Sequence, residues 1–230
     1  MEITYPFINE EHLYSKYYKD FLDIEQDIPD FEYVLKRVRF ENDLMRDISM
    51  MCFKKLREKI LEVAATSQNP TLNFSEFIKL DIVRYHLFEN SFINIFAILE
   101  DYLSKVCIYI ETKKGEISNT LKKELLHNSF TTNINYLDEK YSLGLKESID
   151  KRKDFALLKA RRHCLTHELG IINLSNYNRL GYEKDKIGGK IIIDDVTYGQ
   201  SSSLIILIAK LIDLTLKKHF PDCFKENTFV

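Results

Sequence analysis

Only seven glycines and four prolines interrupt 230 residues, so this chain has few places where its backbone turns sharply. A sandwich or barrel built from hairpins needs a tight turn about every ten residues, which this supply does not meet. Long helices need few such residues, and the expectation is an all-α fold. Charged residues at 30% and hydrophobic residues at 45% suit a chain that buries one sizeable core and carries no disordered segment.

The periodicity divides the chain into helical runs. Ile8, Leu13, Tyr17, Tyr18, Phe21 and Leu22 recur at helical spacing over residues 8–24. Pro29 opens a second run over residues 30–66, which the turn cluster SQNP closes with Pro70 as its stop. The segment KKLREK within it (Lys54 to Lys59) reads as a solvated face. Ser75 is the expected N-cap of the longest run, which ends at Lys113-Lys114-Gly115. Phe88, Phe92, Ile95, Leu99, Tyr102 and Val106 lie on one stripe of it, as in a central pillar, with Glu100 and Asp101 beside that stripe.

Residues 119–141 give one or two shorter helices, and a basic cluster then leads into DFALLKARRHCLTHELG, residues 154–170. Ile187-Gly188-Gly189-Lys190 has the form of a small β-hairpin with a two-residue turn. A last helix is expected from Gly199 or Ser201, stopped by Pro221. The organisation expected is an N-terminal helical extension, residues 1–70, packed on a helical domain of residues 71–230.

Charge and cysteine usage narrow the partners. A net charge of −2 excludes a globally basic nucleic-acid binder, so contact with phosphates requires a local patch. Cys52, Cys107, Cys164 and Cys223 are far apart without a CxxC pair, and read as small buried hydrophobes in a reducing compartment. The N-terminus has no basic segment followed by an apolar run. The most apolar window, Leu204 to Leu216, is interrupted by Lys210 and Asp213. A cytoplasmic protein without a membrane span is expected.

The stretch 154–170 carries the chemistry. Phe155, Leu158, Leu165 and Leu169 form a core-facing stripe at helical spacing, yet Arg162 stands in its middle. An arginine there costs several kcal/mol in desolvation unless something pairs with it. Glu100 is the candidate partner. On the opposite side Ala156, Ala160, Cys164, His163 and His167 form a stripe of small and imidazole side chains. Lys151, Arg152, Lys153, Lys159, Arg161 and Arg162 place six cations in twelve residues against the single acid Asp154, a density that suits a phosphate backbone.

Arg162, His163 and His167, spaced as RHCLTH after a long helix bearing ILEDYL, resemble the motif of the HEPN superfamily of helical proteins. Its ribonuclease members carry arginine, often followed by a polar residue, and then histidine four to six residues on. The resemblance covers about residues 75–220 and leaves residues 1–70 unexplained. It implies a HEPN-like helical bundle that dimerises with two motifs facing a shared cleft. It also implies metal-independent RNA cleavage leaving a 2′,3′-cyclic phosphate, in toxin–antitoxin or antiviral settings.

On an ideal helix Arg162 and His167 are about 140° and roughly 7.5 Å apart, so a composite site requires a bend near Thr166 or a second copy. The stripe of Ala156, Ala160 and Cys164 allows close approach of that copy. His167 is assigned to acid/base work, Arg162 to phosphate stabilisation, and His163 to orientation or a second proton transfer. Glu100 and Thr166 are supporting residues, and Lys159, Arg161, Lys151, Arg152 and Lys153 are backbone contacts. RNA is the expected substrate, an antitoxin or defence protein a possible partner, and no cofactor is expected.

Two other readings compete. A catalytically inactive HEPN module would bind nucleic acid, a nucleotide or a protein. A metallohydrolase would use His163 and His167 at i, i+4 with Glu168 adjacent, but HCLTH lacks the glutamate of HExxH and no third ligand is near.

Overall fold

A chain this short of turn residues spends its length on helices. The computed structural model describes residues 31–66 and 70–224. Among the described residues are seven α-helices, one 3-10 turn (Lys184–Lys186) and no strand. They are α1 (Phe31–Thr66), α2 (Pro70–Lys113), α3 (Asn119–His127), α4 (Phe130–Tyr141), α5 (Leu145–Asp150), α6 (Lys153–His167) and α7 (Asp195–His219). The run expected over residues 8–24, Pro29, and the first three residues of SQNP lie outside the described residues.

Helix α2 is the pillar. Its expected stripe, Phe88, Phe92, Ile95, Leu99, Tyr102 and Val106, is buried throughout, and α1, α3, α4, α6 and α7 all pack against it. Tyr33, Val34, Val38 and Met45 of α1 belong to the same buried cluster as Ile205, Ile208 and Ile212 of α7. The first half of α1 therefore shares the core of the helices after residue 70. Farther along, Lys54, Lys55 and Arg57 are exposed, as a solvated face should be.

Several boundaries differ from the sequence expectation, each for a local reason. Helix α2 starts at Pro70, so Pro70 opens a helix and Ser75 lies inside it; proline fits a first turn, where its missing N–H has no partner to lose. Helix α7 starts at Asp195 rather than Gly199 or Ser201, because the Asp194 carboxylate accepts the Thr197 N–H at 2.7 Å. Residues 119–141 form two helices, capped by Ser118 and Ser129. Counted from Asp195, α7 is long and apolar enough by length and composition alone to cross a membrane, as the core helix of a folded domain can also be. In this fold it lies against α1 and α2 with Ile205, Ala209, Ile212 and Leu216 buried.

The expected β-hairpin at Gly188-Gly189 does not form. A single antiparallel bridge joins Ile171 to Lys190, and the Ile172 N–H donates to the Gly189 carbonyl at 2.9 Å. The Gly188 N–H donates to the Ile172 carbonyl at 2.8 Å. The glycines thus pair with the segment after α6, while the Gly189 N–H also turns back to the Lys186 carbonyl at 2.9 Å. The loop between is shaped by side-chain amides: Asn173 accepts the Ser175 N–H at 2.9 Å, and Asn176, buried, accepts the Asn173 N–H at 2.7 Å. Lys190 then ties the loop to α2 through Glu89 at 3.0 Å.

Candidate functional site

Three phenylalanines set the floor of the site. Phe155 of α6 stacks on Phe96 of α2 with centroids 5.9 Å apart, and meets Phe130 of α4 edge-on at 5.3 Å. Such pairs add to the burial of the rings themselves and lock three helices in rotation. That rotation places Arg162 over the Phe96 ring, its guanidinium carbon 5.2 Å from the centroid. The same side chain donates through Nη2 to the Glu100 carboxylate at 2.9 Å. Glu100 is therefore the partner that the apolar stripe demanded. Both side chains keep some exposure, 28% for Arg162 and 22% for Glu100, so the pair sits at a wall and not in the deep core. The Arg162 Nε is buried without a hydrogen-bond partner among the described residues.

Arg162 and His163 line one cleft of about 390 Å³, with Lys159 and Glu100. His167, the last residue of α6, lies just beyond; its ring centroid is 4.9 Å from that of His163. The two imidazoles, four residues apart, face each other at one helical turn. His163, directly after Arg162, supplies an imidazole at the cleft, whereas His167 does not line it. Thr166 donates to the Arg162 carbonyl at 2.9 Å, a back-bond within the last turn rather than a contact with the arginine side chain.

Behind His163 stands Glu168, whose Oε1 is 3.8 Å from the imidazole Nε2. Asn176 and Asn173 donate to this carboxylate, and the Arg179 guanidinium lies 3.7 Å away. The hydrogen bond from Asn176 holds the Glu168 carboxyl below the usual glutamate range, against an opposing effect of burial. Arg179 also lines the cleft. Sequence reasoning missed it, since a lone arginine in NYNRLG sends no local signal; only the fold of the Asn-rich loop brings it alongside α6.

The other cations separate. Lys159 lines the cleft, but Arg161 turns about 100° away from its neighbour. Its guanidinium sits over Tyr182 at 5.9 Å and lines a different cavity of about 800 Å³ between α6 and α7. Lys151 pairs with Glu147 at 2.7 Å, both exposed, and Arg152 and Lys153 stand at the start of α6. Lys153, the first residue of α6, lies roughly 14 Å of helical rise from Arg162, and none of the three lines its cleft.

Two features of α6 depart from the sequence expectation. The apolar stripe ends at Leu165, for the helix stops at His167 and Leu169 adopts a left-handed φ of 54° with 80% of its surface exposed. Ala160 and Cys164 are buried in the chain's own core, leaving Ala156 as the exposed member of the small-residue stripe. The Cys164 thiol is pushed up to about 11, first by burial and then by Glu168. Among the described residues no group of three or more His, Cys, Asp or Glu is placed to hold a metal ion.

No family model matches the chain, and no curated protein or solved structure matches it.

Proposed function

We propose that this chain is a metal-independent endoribonuclease of the HEPN kind. The observation that carries the reading is the convergence of Arg162 and His163 on one cleft, with the His167 ring 4.9 Å from His163. One imidazole takes the proton of a ribose 2′-OH while O2′ bonds to the neighbouring phosphorus. The second, protonated, gives its proton to O5′ as the P–O5′ bond breaks, leaving a 2′,3′-cyclic phosphate and a 5′-hydroxyl. The Arg162 guanidinium faces the charge that grows on the equatorial oxygens, and its planar fork suits two of them at once. In this reading His167 makes the first transfer and His163, beside Arg162, orients the substrate or makes the second. A toxin–antitoxin or antiviral setting belongs to this reading through resemblance alone.

A second copy of the chain is part of the proposal, because His167 is exposed at the end of its helix and points about 140° from Arg162 on an ideal helix. Light scattering that finds a monomer with full activity removes this part. The Arg162–Glu100 ion pair favours a second reading, since a guanidinium already held by a carboxylate is less available to a phosphate. In that reading the chain is a catalytically silent module that binds nucleic acid, a nucleotide or a protein partner through other groups. Digestion of total RNA in EDTA decides between them: wild type cuts and His167→Ala does not if the first reading holds, and neither cuts if the second does.

A further inference from the structure

The groove of about 800 Å³ between α6 and α7 shares no lining residue with the Arg162 cleft and has no part in the acid–base scheme. Asp154, Leu157 and Arg161 give it one wall, at i, i+3 and i+7 of α6, the spacing of a single helical stripe. The Arg161 Nε is buried without a partner, and neither Arg161 nor Asp154 forms an ion pair among the described residues. Seven residues of helix set the two charges roughly 10 Å apart along the axis, too far to pair with each other. Asp194 is near enough to feel the Arg161 charge, but its carboxylate is committed to the Thr197 N–H at 2.7 Å. Asp195, the other acid of the groove, lies 3.8 Å from Arg84. An arginine left half-buried and unpaired is unfavourable, and an acid from outside the chain would relieve it.

The opposite wall is apolar and open. Leu204 is half-buried and Leu207 is 43% exposed, both facing the groove from α7. Gly199, inside the same helix where glycine is unfavourable, also lines the groove, and a Cβ there meets nothing within 4 Å. Packing within the chain therefore gives no reason for the glycine, which leaves room for a helix arriving from outside.

We propose that this groove is the contact surface of a two-fold dimer, in which α6 of each copy lies antiparallel to α6 of the other, between that copy's α6 and α7. The stripe itself selects a second copy as the guest. Its order is acid, leucine, base, so a two-fold axis beside Leu157 sets leucine on leucine and Asp154 against the partner's Arg161, twice over. Isologous contacts require this kind of self-complementarity. The inference goes beyond the RNA reading and does not rest on it.

Sedimentation velocity of the full chain is the test, and wild type is expected to run as a dimer at micromolar concentration. Arg161→Asp sets carboxylate against carboxylate at both contacts, and Asp154→Arg sets guanidinium against guanidinium. Each is expected to weaken self-association at least tenfold, with unchanged far-ultraviolet circular dichroism. Mixed in equal amounts, the two variants are expected to associate with each other, since every pair is again acid on base. A folding defect does not produce association on mixing. Single variants that dimerise like wild type place the contact on another face and overturn the proposal, as does a mixture that stays monomeric. A monomeric wild type overturns it too, and one that floats with phosphatidylcholine vesicles gives the exposed leucines to a lipid surface instead.

Discussion

Arg162 stands where the helical period asks for leucine, and the structure explains how it is tolerated: an aromatic ring lies beneath it and a carboxylate beside it. Neither group needs the full fork, which leaves guanidinium donors for a phosphate. Replacing Arg162, His163 or His167 singly with alanine is expected to lower RNA cleavage by at least ~100-fold, the usual scale of one acid–base or charge-stabilising group, with unchanged far-ultraviolet circular dichroism. An Arg162→Ala protein that digests RNA at the wild-type rate removes the assignment. Cys164 makes a different residue-scale prediction. Its thiol is pushed up to about 11 and is fully buried, so iodoacetamide at neutral pH should spare it in the native protein and label it after unfolding, as read by peptide mass spectrometry.

At the scale of elements, the end of α6 is the most informative. Gly170 has φ +71°, and its N–H donates back to the Cys164 carbonyl at 2.9 Å. A Cβ at this position meets the Leu165 side chain at 3.1 Å. Gly170→Ala is therefore expected to cost about 1–2 kcal/mol from the left-handed backbone alone, more with the contact added. Leu169 presents the opposite case, being left-handed yet exposed, so Leu169→Gly is expected to raise stability by about 0.5 kcal/mol once the added freedom of the unfolded chain is subtracted. Urea denaturation of the two variants checks both signs. A loss of stability in Leu169→Gly would mean that this side chain makes a contact worth more than its strained backbone.

For the whole molecule, the joint between α2 and α4 is one place where stability depends on acid. Glu111, fully buried, accepts Lys140 at 2.7 Å and the Tyr141 hydroxyl at 2.7 Å. Burial by itself raises the Glu111 pKa, but the hydrogen bonds from Lys140, Tyr141 and Tyr136 outweigh it, and the net direction is down. A carboxyl depressed in the folded state contributes stability that is complete above its unfolded value, near ~4.3, and is lost as pH falls through the folded value. Glu111→Gln is expected to cost about 2 kcal/mol at pH 7 and to flatten the fall of stability between roughly pH 5 and 3. Equal slopes for variant and wild type in that window would place the acid-sensitive joint elsewhere.

Some of this protein is determined by the order of its residues alone. The scarcity of glycine and proline and the apolar periods yield the long helices and the buried stripe of α2, because those patterns act over a few neighbouring positions. The pairing of Arg162 with a carboxylate follows from the cost of burying a lone charge. The α2 and α7 starts lay in the text as Pro70 and Asp194, but a proline read as a stop and an apolar run read from its middle hid them. What only the tertiary structure decided depends on contacts across long separations in sequence. The phenylalanine floor sets the rotation of α6, and so sends Arg162 and Arg161, adjacent in the chain, into different cavities. The same packing turns Ala160 and Cys164 inward, and the asparagine-built loop carries Arg179 to the cleft. A local period records that a residue has a face, while the direction of that face is set by the helices that pack around it.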